Sequence, residues 1–134
     1  MTVKERLRSY RDLVLYIKQL EKDIDELYSK AETMTLQADE LGIRVQVDTQ
    51  QDPIGEIVSA IADMALELGE KLRAAKEERK ALDELLKKLP YKDQRLISLR
   101  YIQGHSWEQV AVDMQYSIHH VWYLHGDILR RLES

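Results

Sequence analysis

Four histidines lie near the C-terminal end of the chain and are the side chains best suited to metal binding or proton transfer: His105, His119, His120 and His125. Two metal ligands on one helix lie three or four residues apart, so that both reach the same ion. His125 is six residues from His119 and five from His120, while the adjacent His119 and His120 point about 100° apart around a helix. This spacing favours exposed polar contacts over a metal site, and no cofactor is predicted.

Other patterns associated with catalysis are missing from the sequence. It contains no cysteine nucleophile, no glycine-rich loop for a phosphate, and no serine in a nucleophile turn with suitably spaced histidine and aspartate partners. The carboxylates fall on helical faces that are predicted to be solvated. We therefore expect a protein that is not an enzyme.

The two tryptophans offer flat surfaces that either stack on nucleic-acid bases or pack inside the protein. Trp107 falls at the start of a predicted short helix, where packing is the favoured role. For Trp122 a contact with a base and a packing role are equally open.

Three short helices are predicted to position these side chains. The first spans 93–101, the second 107–114 and the third 118–132. A short helix, a tight turn and a longer helix form the layout of a helix-turn-helix. The inner positions of this motif are apolar or small, as the packing requires: Val110, Ala111, Met114, Tyr116, Val121 and Leu124, followed by Ile128, Leu129 and Leu132.

Local signals define the boundaries of the second and third helices. Ser106 and Gln109 form a capping box, in which each side chain accepts a hydrogen bond from the backbone amide of the other residue. Ser117 is a good N-cap for the third helix. Ala111 is small where the two helices cross most closely. Gln115 occupies a turn position that often takes a left-handed backbone, at a cost of about 1 kcal/mol for a residue other than glycine.

The longer N-terminal part is predicted to contain two long helices. Residues 3–36 carry an apolar residue every three or four positions, which is the pattern of an amphipathic helix. Residues 38–53 lose this period and form a connector, with a short extended piece at 43–47. A second helix begins after Asp52, and its apolar stripe continues to Pro90.

Two long helices joined by a connector predict an antiparallel hairpin. The fold class is therefore all-α, with a long antiparallel helical hairpin over 1–89 followed by a trihelical helix-turn-helix domain over 90–134. A hairpin covers only one stripe of each helix, which leaves a further row at seven-residue spacing on the first helix: Leu13, Leu20 and Leu27. This row predicts that the hairpin forms a homodimer, with packing inside one chain as the alternative.

Charge and composition limit the partners and the compartment. The formal net charge is −4, but residues 90–134 hold equal numbers of basic and acidic side chains, so the negative charge lies in the hairpin. Any contact with nucleic acid is therefore expected in the C-terminal part. No apolar run approaches the ~18 residues that a membrane span needs, and the N-terminus has no apolar core behind its charges. Together with the absence of cysteine, this predicts a cytoplasmic protein with no membrane contact.

Several short segments near the C-terminus form a recognisable pattern: Leu-Pro at 89–90, RLISLRY at 95–101, SWEQVA at 106–111 and YSIHHVWYLH at 116–125. Together they resemble region 4 of bacterial sigma factors over about the last 50 residues. With the acidic hairpin before them, Leu-Arg-Tyr at 99–101 and Tyr-Ser at 116–117 are similar to small phage and prophage proteins related to the ArpU-type late transcription regulators.

The resemblance implies that the third helix enters the major groove of double-stranded DNA. The positions that would contact bases are His119, His120, Trp122 and Tyr123. The positions expected to contact DNA phosphates are Lys92, Arg95, Arg100, Ser106, Gln109, Ser117, Arg130 and Arg131. Sigma factors place arginines on the base-reading face, and this helix has none before Arg130.

We therefore expect a sequence-specific DNA-binding transcription regulator encoded by a phage or prophage. The alternative is an adaptor that binds RNA polymerase or another phage protein through the helix-turn-helix or the hairpin.

Overall fold

The computed structural model describes residues 1–42 and 52–133, and these residues are almost entirely helical, without a strand. The helices are α1 (Val3–Glu40), α2 (Pro53–Leu86), α3 (Tyr91–Ile97), α4 (Trp107–Met114) and α5 (Ile118–Glu133), with a π-helical segment, Ser98–Ile102, directly after α3. The predicted all-α fold class is confirmed. The extended piece predicted at 43–47 lies outside the described residues.

Helix α1 begins at a capping box in which Glu5 N donates to Thr2 Oγ1 at 3.1 Å and Thr2 N donates to Glu5 Oε2 at 3.2 Å. It continues to Glu40, four residues beyond the predicted end, because nothing in residues 37–40 breaks a helix. Asp52 caps α2 as predicted, since Gly55 N donates to Asp52 Oδ1 at 2.9 Å. Helix α2 ends at Leu86, before Pro90.

The described contacts divide the chain into two compact units, Met1–Tyr16 with Arg73–Ser134 and Ile17–Leu72. In the first unit the start of α1 packs on the end of α2, where Arg6 Nη2 lies 3.0 Å from Glu78 Oε1. In the second unit the end of α1 packs on the start of α2, and a cavity there is lined from both helices: Leu27, Lys30, Met34, Pro53, Glu56, Ile57 and Ala60. Each unit therefore contains a segment of α1 packed on a segment of α2.

These units do not follow the predicted boundary between 1–89 and 90–134. Both hairpin helices contribute their ends to the unit that contains the helix-turn-helix. Three hydrogen bonds from Arg11 join the start of α1 to the helix-turn-helix part of this unit. Arg11 Nε donates to Arg100 O at 3.1 Å, and Arg11 Nη2 donates to Gly104 O and His105 O at 3.3 and 3.5 Å. The N-terminus of α1 is also fixed to α5, since Val3 N donates to Glu133 Oε1 at 2.7 Å.

The predicted leucine row on α1 is partly used inside the chain. Leu20 is 5% exposed, Leu13 and Leu27 are half-buried, and the neighbouring Tyr28 is exposed. The described apolar surface of the second unit lies elsewhere, and it includes Leu36, Val58, Leu66 and Leu72.

Candidate nucleic-acid interface

The turn between α4 and α5 has the predicted geometry. Gln109 N donates to Ser106 Oγ at 3.2 Å and Ser106 N donates to Gln109 Oε1 at 2.9 Å, which completes the capping box. Gln115 ends α4 in the left-handed region at φ 60° and ψ 40°. His120 N donates to Ser117 Oγ at 3.2 Å, so Ser117 caps α5. The side chains of Ser106, Gln109 and Ser117, predicted as phosphate contacts, thus hold the helix ends.

The interior of the motif is packed by the predicted residues. Val110 and Val121 are completely buried, and Ala111 and Met114 are nearly so, which places a small side chain at the helix crossing. Ile128 and Leu129 continue this core along α5, while Tyr116, Leu124 and Leu132 are only half-buried. The tight packing around the turn fixes the angle at which α5 projects from the rest of the unit.

The face of α5 opposite this core is open. Trp122 is 46% exposed and Tyr123 is 67% exposed, and His119 is also exposed. The rings of His119 and Trp122 meet edge to face, with their centroids 5.3 Å apart. These three side chains share one surface, which combines aromatic area with hydrogen-bond donors.

His120 is separated from the other three predicted base contacts. A rotation of about 100° per residue places it roughly 160° from Trp122 around α5. Its ring packs edge to face on Tyr116 in the turn, at a centroid distance of 4.7 Å. The structure therefore groups three of the four predicted base-contacting residues and places the fourth beside the turn.

The cations predicted to contact phosphates differ in their surroundings. Lys92 Nζ lies 4.8 Å from the centre of the Tyr116 ring, and Arg95 Nη2 donates to Asp113 O at 3.2 Å, although both residues are exposed. Both cations therefore lie at the turn side of the motif.

The two arginines at the end of α5 also differ. Arg130 is exposed, with Nη2 3.8 Å from Asp127 Oδ1. Arg131 Nη2 lies 2.6 Å from Asp93 Oδ2 and 3.3 Å from Asp127 Oδ2. Asp93 is buried, so Arg131 neutralises a buried carboxylate and ties α5 to α3. This ion pair gives Arg131 a structural role.

Arg100 is carried by the π-helical segment and is half-buried rather than on an open rim. Its Nη1 donates to His105 O at 3.0 Å, and its guanidinium carbon lies 4.4 Å from the centre of the Trp107 ring. Burial lowers the pKa of Arg100, and the nearby positive charge of Arg11 lowers it further. Trp107, for which packing was the favoured role, is the platform for this arginine.

His125 is half-buried and does not make the exposed polar contact predicted for the histidines. Its Nε2 is 2.5 Å from the Tyr101 hydroxyl, and its ring meets Trp107 edge to face at 4.6 Å. Burial lowers the pKa of His125 to about 4, and the charges of Lys4, Arg100 and Arg8 act in the same direction. The described residues hold no group of histidines and carboxylates arranged to bind a metal ion.

Basic residues at the start of α1 were missed by the sequence reasoning, which assigned this helix to the hairpin alone. Lys4, Arg8 and Arg11 lie beside Trp122 and His125 of α5 around a common cavity. Their spacing of four and three residues places them on one side of α1, a pattern that is visible in the sequence. What the sequence did not show is which element this basic stripe faces.

Comparison with known proteins gives one family. The family model described as "Protein of unknown function (DUF722)" matches residues 11–133, which include α2 to α5 and most of α1. No curated protein and no solved structure matches the chain. None of the described helices is long and apolar enough to cross a membrane.

Proposed function

We propose that this chain, which belongs to the DUF722 family, is a sequence-specific DNA-binding transcription regulator that inserts α5 into the major groove. The proposal rests on two features of the structure taken together. The turn between α4 and α5 has the helix-turn-helix form, with a capping box at the start of α4 and a left-handed Gln115 at its end, and α5 carries an open face. The protein would act in the cytoplasm, without catalytic activity.

The chemistry of the open face suits base contacts. The imidazole of His119 and the hydroxyl of Tyr123 donate and accept hydrogen bonds, and the edge of Trp122 suits a thymine methyl group. With no arginine on this face before Arg130, discrimination between base pairs rests on weaker contacts than an arginine paired with guanine. Binding by two copies would compensate for the modest affinity of one.

The test begins by selecting binding sequences from a randomised double-stranded DNA pool, because the target sequence is unknown. We expect enrichment of a defined motif, and binding to it that weakens steeply as the salt concentration rises. Tyr123→Ala and Trp122→Ala should each reduce affinity for the selected motif by about 5-fold or more, within the 1–3 kcal/mol of a specific base contact. Mobility shift at fixed salt measures these changes.

Tyr28→Ala is the matched control, because Tyr28 is 59% exposed and belongs to the second unit, which carries none of the predicted DNA contacts. This variant should bind the motif like the wild type. No enriched motif at low salt, together with capture of RNA polymerase by the wild-type chain, would favour the adaptor function instead.

A further inference from the structure

A cavity of about 470 Å³ lies in the first unit, where the start of α1 meets the π-helical segment, α4 and α5. Four cations line it against one carboxylate: Lys4, Arg8, Arg11, Arg100 and Asp12. Its volume is within the range of small-molecule sites. The cavity is therefore strongly basic inside a chain whose formal net charge is −4.

Two of these cations are held in place by the backbone. Arg11 donates to the carbonyl oxygens of Arg100, Gly104 and His105. Arg100 donates to His105 O, and its guanidinium carbon lies over the Trp107 ring. These contacts use carbonyl oxygens and a ring face, none of which carries a full negative charge, so they orient the guanidinium groups without neutralising them.

The four cations of the cavity outnumber the one carboxylate that lines it, Asp12. Among the described residues, none of the four cations forms an ion pair with a carboxylate, whereas the neighbouring Arg6 pairs with Glu78. Arg100 Nε is buried and has no hydrogen-bond partner.

We propose that this cavity binds a phosphate group, held by Arg8, Arg11 and Arg100. Several guanidinium groups that converge on one site match the oxygens of a phosphate, which accept paired, charge-assisted hydrogen bonds. The phosphate belongs either to a free nucleotide or to the backbone of DNA bound by α5. Trp122 also lines the cavity and is 46% exposed, so the base of a nucleotide can stack on its indole, and a nucleotide should bind more tightly than inorganic phosphate.

Calorimetric titration of the full chain with inorganic phosphate and with ATP, in chloride buffer of matched ionic strength and without DNA, tests the free source. We expect both ligands to bind, ATP more tightly. Arg8→Gln should weaken binding by about 10-fold, as expected for losing a hydrogen bond to a charged group. Arg8 is exposed, so its replacement should leave the fold intact.

Arg73→Gln is the matched control, because Arg73 is an exposed arginine on α2 that does not line the cavity. This variant should bind phosphate and ATP like the wild type. Since this arm contains no DNA, it gives a result even if the proposed function fails.

A second arm measures the affinity for selected DNA as a function of salt. One outcome identifies the DNA backbone as the source of the phosphate group. In that outcome neither phosphate nor ATP binds, but Arg8→Gln lowers DNA affinity and makes the dependence of affinity on salt shallower by about one phosphate contact. The proposal is overturned if Arg8→Gln and the wild type behave alike toward phosphate, ATP and DNA.

Discussion

At the scale of single residues, the surroundings of His125 lower the pKa of its imidazole. It is surrounded by Tyr101 and Trp107 and faced by the positive charges of Lys4, Arg8 and Arg100. Burial and these charges lower its pKa to about 4, below the 6.5 of an exposed histidine. The unfolded chain therefore takes up a proton on His125 at a higher pH than the folded chain does.

This difference predicts an acid-sensitive fold. The stability linked to neutral His125 is complete above pH 6.5 and is lost as the pH falls from about 6.5 toward 4. Between pH 7.5 and 5 the free energy of unfolding should fall by about 2 kcal/mol through this group. Urea unfolding at both pH values measures the change, and His125→Gln should remove most of it. The exposed His119→Gln should keep the full pH dependence, and equal slopes for the two variants would contradict this origin.

The arginine pair at the end of α5 allows another test at this scale. Arg131→Gln should lower Tm, because it leaves the buried Asp93 carboxylate without its ion-pair partner. Arg130→Gln should leave Tm nearly unchanged, because Arg130 is exposed. Thermal melts compare the two, and a loss of DNA binding in Arg130→Gln alone would identify a phosphate contact. A Tm that is insensitive to Arg131→Gln would remove its structural role.

At the scale of helices, the crossing of α4 and α5 depends on Ala111. Ala111→Leu should overpack this crossing and lower the free energy of unfolding by about 1–3 kcal/mol, because Ala111 is only 8% exposed and a larger side chain has little room there. The adjacent Val112 is 76% exposed, so Val112→Leu is a matched control that should leave stability unchanged. Chemical denaturation measures both variants, and equal stabilities would show that the crossing lies elsewhere.

The helix ends and the turn were predictable because they depend on local chemistry. Each of these features depends on a hydrogen bond between residues no more than four positions apart. They are the capping box at Ser106, the N-caps at Asp52 and Ser117, and the left-handed Gln115. The π-helical segment was not predictable, because residues 98–102 have an ordinary helical pattern in the sequence. The packing of α1 against α5 was also missed, since amphipathic spacing shows that a face is buried but does not identify its partner.

The candidate site was also predicted only where it depends on local sequence. Its face on α5 followed from the position of the turn, and His119, Trp122 and Tyr123 do share that surface. The basic residues at the start of α1 did not enter the prediction, although they are adjacent to Trp122 in the structure. Contacts between residues about 90 positions apart, such as Arg11 with Arg100, cannot be derived from local spacing.

At the scale of the whole molecule, α2 offers a second surface for the predicted homodimer. Leu20 is buried within the chain, but α2 exposes apolar residues at seven-residue spacing: Val58, Ala65 and Leu72. A row with this period packs against the same row of a second helix, as in a coiled coil. Such self-complementary packing suits a symmetric dimer.

Sedimentation of the wild-type chain should therefore show a dimer at micromolar concentration, and Val58→Gln combined with Leu72→Gln should shift it to monomer. Because both residues are exposed, the double variant should retain the helical content of the wild type by circular dichroism. Val112→Gln, at an exposed apolar position on α4, should remain dimeric. The monomeric variant should also bind a two-half-site DNA more weakly than the wild type, while binding one half-site equally well. A monomeric wild-type chain, or a double variant that stays dimeric, would exclude this row as the interface.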